Sequence, residues 1–157
     1  MSLDNLTVGP PVELTFTTVG DPVELGPGVP GPPGPPGPAG GYAVGTAATA
    51  LSGHRVVTAD PDGTWRYASN DNPADMAAPL WITTGAVDAG QQGEAVILGP
   101  ITEPSWSWNP GPVFLGLNGA LTQTPPAAPD AVFLVQVGFA TSATTLFVDR
   151  NPSIKLS

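Results

Sequence analysis

"RVVTADPDGTWRYAS", residues 55–69, reads as two short strands folded about a turn. Asp60-Pro61-Asp62-Gly63 is a hairpin signal, because Asp-Gly tolerates the positive φ that a tight β-turn requires. Asn118-Gly119 gives the same signal further along the chain. Working outward from these turns, strands are expected at 54–59, 64–69, 80–87, 94–101, 113–117, 120–123, 132–140 and 144–149. Short strands separated by turns at this spacing predict a sandwich or small barrel, and no window sustains the helical period. The expected fold is all-β over residues 42–157: a small β-sandwich or barrel, preceded by an extended arm and a short collagen-like triple helix.

The β domain reads as two internally related units. In the first, the hairpin is followed by a Pro-bearing loop and "LWITTGAV" (80–87); in the second, "PVFLGLNGALTQT" (112–124) is followed by another Pro-rich loop and "FLVQVGFA" (133–140). Turn glycines Gly63 and Gly119 precede strand glycines Gly85 and Gly138 at nearly equal separations. Each half then ends on a further apolar strand, "EAVIL" (94–98) and "TTLFV" (144–148).

Ahead of this domain stands "GVPGPPGPPGPAGG", residues 28–41. Gly28, Gly31, Gly34, Gly37 and Gly40 keep a strict three-residue period. Three polyproline-like chains can wind together only where Gly occupies the crowded axis. At ~3.1 Å per residue, residues 28–39 would span roughly 35 to 40 Å. So short a helix does not hold three chains alone; a neighbouring trimeric domain would close it by raising the local strand concentration. The alternative is a stiff monomeric linker, which needs no Gly period. The segment 26–41 is therefore expected to be a trimer stalk.

Residues 1–25 carry a repeat, Val8-Gly9-Pro10-Pro11-Val12-Glu13-Leu14 returning as Val19-Gly20-Asp21-Pro22-Val23-Glu24-Leu25. An extended arm of this kind can add to another protein's sheet edge through its main chain, with Val12, Leu14, Phe16, Val23 and Leu25 as apolar anchors. A disordered tail is the competing reading.

Composition narrows the function. The 157 residues carry 4 basic and 13 acidic side chains, a net charge of −9, with 20 glycines, 21 prolines and no cysteine. Phosphate binding needs clustered Lys and Arg, so no nucleic-acid partner is expected. No polybasic segment or ~20-residue apolar run points to a membrane. "MSLDNLTVGPP" has no signal-peptide pattern, so synthesis in a cytoplasm is expected. Charged residues make up only 11% of the chain; either much of the surface is covered by other subunits, or Thr, Ser, Asn and Gln cover it.

No catalytic constellation emerges, and no enzyme, cofactor or metal is expected. The single histidine, His54, has no cysteine or second histidine beside it and reads as a surface or interface residue. Asp60, Asp62, Asp71 and Asp75 lack EF-hand spacing and read as turn formers. "EPSWSWNPG" (103–111) is the distinctive stretch: Trp106 and Trp108 alternate, so on an extended chain they share a side. They suit a core or subunit contact, and equally a surface on which sugar rings stack.

The run "EPSWSWNPGPVFLGLNGALTQTPP" (103–126), followed by "QVGFATSATTLFVD" (136–149), resembles C-terminal domains of structural proteins of tailed bacteriophages, which are often met after Gly-X-Y stretches. The general pattern, with "DG…A…G…AGQQGEAVIL" ending at 98, is similar to that of phage capsid cement or decoration proteins. The resemblance covers about residues 50–150. It implies a homotrimeric virion surface protein, a head fibre or capsid decoration protein, assembled in the host cytoplasm and held by its arm to the major capsid protein or another virion protein. It implies no catalytic residues. A tail-fibre or receptor-binding tip contacting host surface glycan through Trp106 and Trp108 is the alternative.

Overall fold

The computed structural model describes residues 41–157. The anchoring arm with Val12, Leu14, Phe16, Val23 and Leu25, and the glycine series Gly28, Gly31, Gly34, Gly37 and Gly40, lie outside the described residues. Among the described residues the protein is all-β, with every strand ladder antiparallel and no α-helix. The strands are β1 (Gly41–Thr46), β2 (Val56–Ala59), β3 (Trp65–Tyr67), β4 (Trp81–Thr83), β5 (Gln92–Thr102), β6 (Gly111–Leu115), β7 (Leu121–Thr122), β8 (Phe133–Leu134), β9 (Gln136–Ala140), β10 (Thr145–Val148) and β11 (Ile154–Lys155). Nine of them form one curled sheet, a half-barrel, in the order β3-β2-β4-β5-β10-β9-β6-β7 with β1 paired to β5. β8 and β11 pair separately.

Each strand anticipated from the sequence overlaps an observed one; β5 and β6 begin earlier than expected, and the expected strand over 132–140 divides into β8 and β9. β1 and β11 were not anticipated. Gly41 opens β1, where the sequence reading ended the stalk. Both turn signals take the expected backbone: Gly63 has φ 86°, and Asn118 and Gly119 have φ 49° and 74°. In the first turn, Gly63 N–H donates to the Asp60 carbonyl and Asp60 N–H to the Thr64 carbonyl.

β5 organises the sheet. Its first half pairs with β4 and β1, and Gly99 to Thr102 pair with β10. Between the halves Gly99 has φ 120°, open to glycine alone, and Pro100 follows without an N–H to give the ladder. The pairing of β1 also slips a residue here: Gly41 lies opposite Leu98 but Tyr42 opposite Val96. Val96 before the break and Ile101 after it both reach the same core.

The order of strands about β5 is the same on both sides. Before it run β3-β2-β4-β5, a hairpin whose first strand pairs with the third and the third with the fourth; after it run β7-β6-β9-β10 in the same relation. Both halves line the principal core: Val56, Ile82 and Val96 meet Val113, Leu115, Phe133, Val137 and Leu146. A second cluster, with Val57, Trp65, Leu51, Val87 and Ala95, covers the other face of the first half. Successive strand residues point to opposite faces, so Val56 and Val57, both fully buried, enter different cores. Packing there is close: a Cβ on Gly45 would lie 2.2 Å from the Trp65 indole.

One ion pair fixes the first hairpin to the 3-10 turn Pro73–Met76. The guanidinium of Arg66, on β3, donates two hydrogen bonds to Asp75, at 2.6 and 3.0 Å, and a third at 2.6 Å to Asp60 of the hairpin turn. Asp75 sits fully buried in the 3-10 turn and also accepts from the Ser69 N–H. The paired carboxylates, Asp75 above all, hold the Arg66 pKa above its ordinary value. Arg66→Met should therefore destabilise the domain by about 3 to 5 kcal/mol, because it strands a buried carboxylate. Asp60→Asn, at the exposed end of the pair, should cost under ~1 kcal/mol; urea unfolding of both variants checks the ordering.

Candidate functional site: the cleft at His54 and Trp106

A polar concavity lies beside the segment joining β5 to β6. Residues 103–110 form no strand; they run along the start of β10, with Glu103 N–H donating to the Thr144 carbonyl and Trp108 N–H to that of Ala143. Glu103 closes a short turn by accepting from the Ser105 N–H at 2.9 Å. At the far end, Gln123 on the segment after β7 clips Asn109 both ways, its carbonyl oxygen accepting the Asn109 N–H and its amide donating to the Asn109 carbonyl at 2.6 Å.

Held at both ends, the segment turns Trp106 and Trp108 to one side, half-buried against the principal core, while Ser105 and Ser107 are exposed. The indole rings lie 5.6 Å apart at 60°. They share a side, and they pack on the core while each keeps part of its surface open. The Trp108 indole N–H is buried without an acceptor among the described residues.

His54 meets this pair from the loop before β2. The sequence predicts a strand from His54, but β2 starts at Val56, and His54 has φ 57°. That left-handed backbone costs a non-glycine residue roughly 1 to 2 kcal/mol. His54 N–H donates to the Thr83 carbonyl, and its imidazole stands edge-on to Trp106 at 5.2 Å. Nδ1 lies 3.3 Å from the Glu103 carboxylate. The Ser105 N–H and side chain hold the Glu103 carboxyl below its usual range, with a smaller contribution from His54.

Gly53, His54, Arg55, Glu103, Ser105 and Trp106 border an open cleft of about 440 Å³. It combines an aromatic face, a carboxylate, an imidazole and a hydroxyl, suited to a polar ligand with one apolar face. The sequence singles out the two tryptophans, reads His54 as a surface or interface residue, and does not single out Glu103. The spacing of Glu103 and Ser105, a side chain capping its own turn, was the signal available. Among the described residues no group of three His, Cys, Asp or Glu side chains could hold a metal. No protein-family model matches the chain, and no curated protein matches it.

If the His54 backbone is held by its surroundings, its side chain decides how the strain is tolerated. His54→Val should lower stability by about 1 to 2 kcal/mol, a β-branched side chain being worst suited to positive φ. His54→Gly should leave stability nearly unchanged, backbone relief offsetting the lost Glu103 contact; equal losses in both variants on urea unfolding would contradict this.

Proposed function

We propose that the protein is a homotrimeric structural protein of a virion surface, a head fibre or capsid decoration protein of the tailed-bacteriophage kind, made in the host cytoplasm. Residues 1–25 anchor it to the major capsid protein or another virion protein, 26–40 form a brief three-stranded stalk, and the β domain from Gly41 projects outward. The observation that carries this reading is the strict Gly period from Gly28 to Gly40 immediately ahead of a β domain. Gly-X-Y repeats have physical meaning only where three chains share an axis. The low charged fraction supports it, as do the large apolar side chains that the single chain leaves exposed. The matching strand orders β3-β2-β4-β5 and β7-β6-β9-β10 support a domain of two related β-units.

Full-length protein should co-sediment with purified tail-less capsids, and a chain starting at Gly41 should not. Full-length protein that stays in the supernatant while binding isolated tails would move it to the tail.

A second reading has one specific observation behind it: His54, strained and set against Glu103 and Trp106 at an open cleft. In that reading the cleft stacks a sugar ring of a host surface glycan on Trp106. Trp106→Ala should then abolish adsorption to host cells or glycan while leaving the subunit stoichiometry unchanged, measured by cell pull-down beside light scattering.

A further inference from the structure

On the face of the sheet turned away from the principal core, the registers place four apolar residues in one row. Pro100 on β5 lies opposite Phe147 on β10, Phe147 opposite Phe139 on β9, and Phe139 opposite Pro112 on β6. Residues directly opposite in neighbouring antiparallel strands project on the same face, so the row crosses four strands without interruption. All four are exposed, Phe139 at 46% and Phe147 at 41%. Their ladder neighbours Leu146, Val148 and Ala140 are buried on the opposite face. Ile97, 42% exposed, stands three residues before Pro100 on β5, and a Cβ on Gly41 would touch it at 3.5 Å.

Nothing within the described chain covers this row, although aromatic rings in water are costly to leave bare. Its place in the fold names the occupant. β1 runs antiparallel to β5, so Gly41 sits at the Leu98 level, next to the Gly99–Pro100 break and the near end of the row. The 40 residues that precede Gly41 end in the Gly-X-Y stretch. Three copies joined there would hold their domains side by side at the Gly41 end, where the row starts.

We infer that the row Pro100, Phe147, Phe139 and Pro112, with Ile97, is the surface on which the β domains of three copies of this chain pack together. This rests on the trimeric reading above and assigns it an interface. The row itself carries no charged side chain, in a chain of net charge −9. The surface, rather than the short stalk, supplies the affinity that sets the number of chains, and the Gly-X-Y strands close at the local concentration it creates.

The test uses the full chain and light scattering. The parent protein should have three times the chain mass, and Phe139→Asp/Phe147→Asp should have the mass of one chain at the same concentration, with an unchanged far-ultraviolet circular dichroism spectrum. Ile154→Asp, on the separate β8–β11 pair, should remain trimeric. Because the natural chain has no cysteine, Phe147→Cys and Ile154→Cys each carry one thiol. In trimers, alkylation at 147 should be at least about tenfold slower than at 154, exposure setting thiol reactivity; this readout stands even if the double variant fails to fold. A parent trimer with equal alkylation rates, or one whose mass the double aspartate variant leaves unchanged, overturns this surface and leaves the trimer reading intact. A monomeric parent overturns both.

Discussion

The antiparallel pairing of β5 with β10 holds the described domain together. Only four residue pairs join its two halves in the sheet, from Thr145 opposite Thr102 to Val148 opposite Gly99. Leu146 and Ile101, paired in this ladder, point into the core that both halves share. Each half by itself would be a short antiparallel sheet with one raw apolar face. Joined at β5, each becomes the other's cover, and the strand changes partners at Gly99. Burial of that shared core stabilises the domain at ~25 cal/mol per Å² of apolar surface removed from water, and hydrogen bonds from Asn70 to Leu115 and Gly116 tie the halves together outside the seam.

Much of the sheet was legible because its signals are local. Asn118-Gly119 and Asp62-Gly63 dictate backbone signs within two residues, and the runs flanking them are β-branched or aromatic. The all-β class follows from these alone. β1 escaped because "GYAVGT" carries a glycine at each end of its apolar centre and its partner on β5 lies about fifty residues away. Gly45 reads as a strand-breaker until Trp65 is seen lying against it. Nor could the sequence show that "VV" at 56–57 serves two cores, since a doubly buried strand has no alternating pattern to read.

The cleft was half legible for a similar reason. Alternation along a chain put Trp106 and Trp108 on one side, and the structure has them there. His54 comes from a loop nearly fifty residues earlier and is directed at Glu103 by a left-handed backbone that no sequence period encodes. Asp75 shows the converse. It reads as one more turn aspartate, yet it is fully buried and bound to Arg66, a partnership visible only once the hairpin is folded.

The direction of β1 bears on how the domain carries load. Interstrand hydrogen bonds of an antiparallel pair stand perpendicular to the strands. A pull on Gly41 along the axis of β1 therefore strains the whole β1–β5 ladder, from Gly41 opposite Leu98 to Thr46 opposite Gln92, in shear and all at once. A pull across the strand would instead peel the ladder open one pair at a time. Tension entering at this end is thus passed directly to β5, the most deeply connected strand of the sheet, and the domain resists being drawn out lengthwise far better than being pried sideways.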